Sequence, residues 1–190
     1  KKRFVDVVFS LVGLVFTLVM LPFIALAITL DSRGAVFYKQ TRLGLDGSTF
    51  ELIKFRTMVN NAEKKNGPVW AVDNDPRITR VGRILRTLYI DEFPQWWNVL
   101  MGDMSVVGPR PERPEFTKLI AERYPKFPTR LEAKPGITGL AQTEYHYTKS
   151  VADSRHKLNY DQRYISRASI RLDIWIVLRT FRRMLSRAGS

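Results

Sequence analysis

Residues 7–30 read VVFSLVGLVFTLVMLPFIALAITL, a run of 24 positions without a charge. As an ideal helix it would be roughly 36 Å long, enough to cross a hydrocarbon core of about 30 Å. A signal peptide would have a shorter apolar region followed by a small-residue cleavage site, which this run lacks. Pro22 sits inside it, where it removes one helix hydrogen bond and favours a kink. Lys1, Lys2, Arg3 and Asp6 flank one end, and Asp31, Arg33, Lys39 and Arg42 follow the other. With cations on both sides the positive-inside rule assigns no orientation, which points to both ends facing the same side. A helix bent near Pro22 that enters one leaflet and returns fits both features. An ordinary spanning anchor fits the residues equally well.

The chain as a whole is basic. Its 190 residues hold 31 Lys and Arg against 18 Asp and Glu, for a formal charge of +13. Hydrophobic residues make up 45%, which excludes wholesale disorder. A mean hydropathy of −0.18 excludes a many-spanning membrane protein. The absence of cysteine removes disulfides, thiolate metal sites and a Cys nucleophile. Two histidines, His146 and His156, match no ligand spacing and read as surface residues. The charge calls for an anionic partner: nucleic acid, a membrane surface or a phosphorylated substrate. The chain starts at Lys1 without Met, as a piece of a longer protein would.

Local patterns outline the elements. AVFYKQT (35–41) and FELIKF (50–55) read as strands of a hairpin turning at Asp46-Gly47. A polar loop covers 60–68. DPRITRVGRILRTL (75–88) predicts a helix with Ile78, Val81, Leu85 and Leu88 on one face. DEFPQWWNVLMG (91–102) predicts a short helix with Asp91 as N-cap, Pro94 in the first turn and Gly102 as the stop. MSVVGPRPERP (104–114) reads as loop or extended chain, KPGITGL (134–140) as a turn-rich loop, and 115–124 as a short helix. Residues 170–185 predict a helix, apolar on much of its surface and basic on the remainder. Arg171, Arg179, Arg182, Arg183 and Arg187 suit a helix lying in a headgroup layer.

Asp91-Glu92, at a helix start after an arginine-rich segment, is the strongest candidate for chemistry. Adjacent carboxylates can divide labour, one as nucleophile and the other on a metal ion. Mg²⁺ commonly binds through one or two carboxylates plus substrate phosphates. The plain alternative is an N-cap followed by a first-turn acid. Arg77, Arg80, Arg83 and Arg86 recur every third residue and suit oxyanion binding, or equally a solvated or lipid-facing cationic face. GPRP (108–111) is either a rigid turn or a device that presents Arg110 to an anion. Lys54, between Ile53 and Phe55, is either a snorkelling edge residue or a buried partner for a carboxylate.

Taken together, KRFVDVVFS, the apolar run with Pro22, VFYKQTRLG, FELIKFRTM, DPRITRVGRILR, IDEFPQWWNVLMGDMSVVGPRP, KPGITGLAQ and KLNYDQRYI resemble the bacterial sugar transferases. These are monotopic polyprenyl-phosphate phosphoglycosyl transferases, and the resemblance covers nearly the whole chain. It implies transfer of a sugar-1-phosphate from a UDP-sugar to undecaprenyl phosphate, with release of UMP, at the start of surface glycan or exopolysaccharide assembly. Asp91 matches the nucleophile that forms a phosphoglycosyl-aspartate, and Glu92 the carboxylate that holds Mg²⁺. Arg86 and Arg110 match phosphate-associated positions, with Arg83 beside them, and Lys54 matches a lysine supporting the dyad. The family's apolar segment is re-entrant and broken near its proline.

The expected fold is therefore α+β and mainly helical, with a small β-hairpin, an N-terminal re-entrant membrane helix and interfacial amphipathic helices. Residues 1–31 form the membrane-embedded helix and 32–190 a catalytic domain on the cytoplasmic face of the bacterial inner membrane. The expected partners are the UDP-sugar, undecaprenyl phosphate and anionic membrane lipids. Nucleic acid is excluded and a homodimer is left open. A non-catalytic basic scaffold on anionic lipids is the competing expectation.

Overall fold

The computed structural model describes residues 1–62, 67, 75–145 and 151–188, the last four by backbone alone. His146, most of the 60–68 loop and the side chain of Arg187 lie outside the described residues. The fold is mainly helical α+β, as expected, with two small sheets and one long apolar helix at the N-terminus.

That helix, α1, runs Lys2–Asp31 without a break in assignment at Pro22. Its outer surface is apolar and exposed at Phe4, Leu11, Val15, Leu18, Phe23 and Leu30. The side against the rest of the chain is different. Asp6, Ser10, Thr17, Ile24 and Ile28 are buried, at the spacing of one narrow helical stripe. Gly13 belongs to that stripe, because a Cβ there would lie 2.5 Å from the Trp96 ring. The face toward the protein is thus polar or small from Asp6 to Thr17 and apolar at Ile24 and Ile28, which pack with Phe55 and Leu85.

Strands β1 (Phe37–Leu43) and β2 (Thr49–Phe55) form the antiparallel hairpin, with Tyr38 opposite Lys54. Asp46 and Gly47 turn it at positive φ (53° and 79°), where Asp and Gly are the tolerated residues. Helix α2 covers Arg80–Thr87, shorter than the expected 75–88. Asp75 folds back on the Arg77 backbone and guanidinium, and Ile78 bridges to Met58. Thr79 is the N-cap, accepting from Gly82 N at 3.0 Å.

Helix α3 spans Gln95–Met101 and stops at Gly102 with φ 97°. The extended option for 104–114 holds, as β3 (Ser105–Val107), whereas 134–140 is not all loop: it contains β4 (Gly136–Thr138), paired in parallel with β3. Three-residue strands carry too little periodicity to be recognised, and glycine explains how they meet. A Cβ on Gly108 would lie 2.2 Å from the Lys134 carbonyl oxygen, and one on Gly136 2.1 Å from Gly108 N.

Helices α4 (Pro114–Arg123), α5 (Leu140–Glu144), α6 (Ser154–Arg167) and α7 (Ile170–Ala188) complete the fold. The main core gathers Leu52, Val99, Met104, Val107, Tyr164 and Ile176 from five elements and the turn after α3. On α7, Ile170, Ile174, Leu178 and Phe181 form an exposed apolar face, and Arg171 and Arg182 are also exposed. Arg179 and Arg183 instead dock α7 onto α5: Arg179 pairs with Glu144, and Arg183 donates to the Gln142 and Thr143 carbonyls.

Candidate active site

Asp91 and Glu92 lie in a 3-10 turn, Ile90–Glu92, between α2 and α3. Tyr89, at φ 58°, reverses the chain just before it. This corrects the expectation that Asp91 caps α3: the N-cap is Pro94, and it makes no side-chain cap bond. Neither dyad carboxylate therefore caps the first-turn amides of α3. Both residues are buried.

Glu92 is firmly held. Its Oε1 accepts from Lys54 Nζ and from Arg110 Nη2, each at 2.7 Å, and Oε2 lies 3.5 Å from Arg110 Nη1. Of the two readings of Lys54, the carboxylate partner is correct. GPRP does present Arg110 to an anion, and that anion is Glu92. Among the described residues, no hydrogen bond or ion pair closes on the Asp91 carboxylate.

The neighbouring acids are consequently driven apart. Burial pushes Asp91 up to about 6, with Lys54 opposing and Glu92 adding to the rise. Burial would also raise Glu92, but Arg110 and Lys54 overcome it and hold this carboxyl far below the usual range. Burial lowers Lys54, against the pull of Glu92. One acid is held as a fixed anion, while burial pushes its neighbour well above the usual carboxylate range.

Residues far apart in sequence set this geometry. Lys54 lies on β2, and Asn98 docks α3 along that strand's free edge. Its Oδ1 accepts from Ile53 N at 3.1 Å, and its Nδ2 donates to Glu51 O at 2.8 Å. The side-chain amide thus stands in for a strand neighbour, tying the helix after the dyad to the strand bearing Lys54. At the far end of α1, Asp31 accepts from Val81 N at 2.9 Å and so holds the start of α2. Neither role was anticipated. A mid-helix Asn after two tryptophans is the only signal the sequence offers for the first, and it is faint.

Arg86 donates Nε to Thr57 Oγ1 at 2.8 Å and is close enough to Asp91 to favour its ionised form. Arg83 is exposed on α2, and its guanidinium has no partner among the described residues. Arg77 is engaged with Asp75. The arginine series therefore divides: Arg86 adjoins the dyad, Arg77 is structural and Arg80 and Arg83 face out. Pro22 lies on α1. The described residues contain no group of three or more His, Asp or Glu able to hold a metal unaided.

A family model described as bacterial sugar transferase matches residues 1–187. The UDP-N-acetylgalactosamine-undecaprenyl-phosphate N-acetylgalactosaminephosphotransferase of Aeromonas hydrophila is 40% identical over 190 residues, covering 100% of this chain and 44% of its own length. The UDP-glucose:undecaprenyl-phosphate glucose-1-phosphate transferase of Caulobacter vibrioides is 42% identical, over 98% of this chain and 70% of its own. The exopolysaccharide production protein PSS of Rhizobium leguminosarum bv. phaseoli is 40% identical, over 94% and 92%. The chain thus spans less than half of the first relative and most of the other two.

Proposed function

The chain belongs to the bacterial sugar transferase family, and from that premise we propose that it transfers a sugar-1-phosphate from a UDP-sugar to undecaprenyl phosphate, as the opening step of exopolysaccharide or other surface-glycan assembly. The observation that carries the reading is the unlike pair: Asp91, buried and without a hydrogen-bond or ion-pair partner among the described residues, beside Glu92, buried and clamped by Lys54 and Arg110. Relatives named for this transfer carry either N-acetylgalactosamine or glucose, so the sugar itself is left open.

In the proposed reaction an Asp91 carboxylate oxygen bonds to the phosphorus that bears the sugar. The bond from that phosphorus to the UMP oxygen breaks, and UMP leaves with the electron pair. An oxygen of undecaprenyl phosphate then attacks the same phosphorus, and the bond to Asp91 breaks to restore the carboxylate. No proton is consumed. A nucleophile free of hydrogen bonds needs no partner removed before attack, and fixed cations beside it offset the charge of anionic substrates.

Mg²⁺ is the proposed cofactor. The donor set suits it: Glu92 Oε2 is held more loosely than Oε1, leaving one hard oxygen ligand to combine with substrate phosphates. Its contribution would be to neutralise charge on the diphosphate.

We place the protein at the cytoplasmic face of the bacterial inner membrane, with residues 1–31 embedded and 32–190 forming the catalytic domain. Support comes from the two ends of α1. Near its start, Asp6 accepts from Ser105 Oγ and Val106 N, both at 2.9 Å; at its end, Asp31 accepts from Val81 N. A helix bound at both ends to one body, with an apolar outer face, suits entry into one leaflet from one side. Exposed Trp97, Met101 and the apolar face of α7 extend the lipid contact, with Arg171 and Arg182 available to anionic headgroups.

The deciding experiment incubates the purified protein with Mg²⁺, undecaprenyl phosphate and a panel of nucleotide diphosphate sugars, scoring nucleoside monophosphate release. Turnover with one UDP-sugar establishes the activity and identifies the donor. Silence across the panel removes the proposal.

A further inference from the structure

Four consecutive carbonyls in the segment that delivers Arg110 to Glu92 each accept a hydrogen bond, and the donors come from three separate places. Pro109 O accepts from Gly136 N at 2.9 Å, and Arg110 O from Arg130 Nη2 at 2.9 Å. Pro111 O accepts from Arg42 Nη1 at 3.0 Å, and Glu112 O from Leu43 N at 3.0 Å. Two of these four residues are prolines, with fixed φ and no amide of their own. The segment is thus restrained both by its residues and by its surroundings.

Two of the four donors are side chains, and both are anchored. Arg130 is almost fully buried, its guanidinium bound to Asp161 Oδ2 at 2.8 Å and stacked over the Phe127 ring at 5.0 Å. Arg42 lies 3.9 Å from Glu112, whose carboxylate also accepts from Lys157. Lys157 and Asp161 are four apart on α6 and so share one helix face. Stability alone does not account for a buried Arg–Asp pair, because apolar residues of similar volume often hold a fold equally well. A guanidinium can bind a carboxylate and a carbonyl in the same plane, whereas an ammonium is a single point.

We propose that Arg130 and Arg42 are positioning residues for the Asp91–Glu92 site, acting through the backbone carbonyls of Arg110 and Pro111, with the Lys157–Asp161 face of α6 as their support. They touch neither substrate nor dyad. They fix where the Arg110 guanidinium ends, and hence how Glu92 is held beside the nucleophile. A displacement of about 1 Å at such a place costs on the order of a hundredfold in rate. The inference rests on the proposed transferase reading for its kinetic test alone.

The test is a double-mutant cycle on the full chain. Arg130→Lys preserves the charge facing Asp161 and gives up the carbonyl. It is expected to lower kcat by roughly ten- to a hundredfold, with the donor KM changed less than about twofold. In an Arg110→Ala background the same substitution should have little further effect. An equal loss in both backgrounds, or a loss confined to KM, overturns the proposal. Arg42→Lys carries the same cycle through the next carbonyl, should Arg130→Lys fail to fold. Amide hydrogen exchange over residues 105–115, measured with each folded variant, gives a readout independent of turnover. Faster exchange there than in the wild type supports the clamp even if no donor sugar is ever turned over, whereas unchanged exchange refutes it.

Discussion

Lys54 Nζ and Glu92 Oε1 meet at 2.7 Å, joining the edge of a hairpin to a turn 38 positions further along the chain. Both side chains are largely shielded from water. Leaving a buried charge wholly uncompensated costs about 3–5 kcal/mol, and losing Lys54 costs a part of that because Arg110 still meets Glu92. Lys54→Met should therefore lower the melting temperature and, by loosening Glu92, reduce turnover at least tenfold. Thermal unfolding in detergent and UMP release measure the two effects. A stable, fully active variant would show that Arg110 alone suffices to hold Glu92.

Asp91→Asn should separate activity from stability. The amide is a poor nucleophile, so UMP release and the mass shift of a phosphoglycosylated protein should both disappear. Burying a neutral amide avoids the desolvation that raises the Asp91 carboxyl to about 6, so the folded state should gain up to a few kcal/mol at neutral pH. An active Asp91→Asn enzyme would remove the covalent route. A less stable one would mean that a hydrogen bond to the carboxylate had been lost.

The pH dependence follows with a definite sign. Asp91 must be ionised to attack, so kcat/KM should fall as pH drops through about 6. Glu92 stays ionised across that interval, being held far lower by Arg110 and Lys54. Stability moves the opposite way. Because the folded pKa of Asp91 exceeds its ordinary value of 3.8, the stabilisation from its protonation is complete below that value and lost as pH rises through about 6. A pH–rate profile and melting temperatures between pH 4 and 8, compared with Asp91→Asn, would reveal both limbs. A flat profile through this range would assign the nucleophile an ordinary carboxylate pKa.

Features governed by neighbouring residues could be read in advance. The hairpin followed from Asp46-Gly47 between alternating segments, and the dyad stood out as adjacent acids after a run of arginines. What the sequence concealed was pairing over distance. Lys54 had two readings, and only the fold brings Glu92 to it. Arg130 and Asp161 are each other's partners across 31 positions, and no local pattern marks them. Local rules do not single out the start of α3, because Asp91 and Pro94 satisfy N-terminal preferences at more than one position. The α1 run concealed its inner stripe because Asp6, Ser10, Gly13 and Thr17 are too few to interrupt an apolar average.

Glu92→Gln tests the proposed metal role. The amide keeps the shape but gives up the charge that balances Lys54 and Arg110, so both cations would be left in a buried site. The Mg²⁺ concentration for half-maximal activity should rise several-fold along with a fall in kcat. An unchanged metal dependence with reduced kcat would confine Glu92 to holding the cations.

Asp6→Leu probes whether α1 is fastened to the catalytic body or merely inserted in lipid. The substitution lengthens the apolar run and would favour insertion. In the fold, however, the Asp6 carboxylate is buried and accepts from Ser105 Oγ and Val106 N. Stranding those buried donors costs about 1–3 kcal/mol each. The damage should reach the site, because β3 runs from Ser105 to Val107 and leads through Gly108 and Pro109 to Arg110. Asp6→Leu is therefore expected to lower both melting temperature and turnover, while Asp6→Asn, which retains an acceptor, recovers much of each. The same helix allows a clean topology measurement, since the chain has no native cysteine. Single cysteines at Lys1 and Ser32 should both react with an impermeant thiol reagent from the cytoplasmic side. Pro22→Ala restores the helix hydrogen bond that proline removes and should favour a spanning insertion, expose one of the two sites to the opposite face and reduce activity. If both sites stay cytoplasmic in that variant, Pro22 is not what turns the helix back; if they already differ in the wild type, the segment is an ordinary spanning anchor.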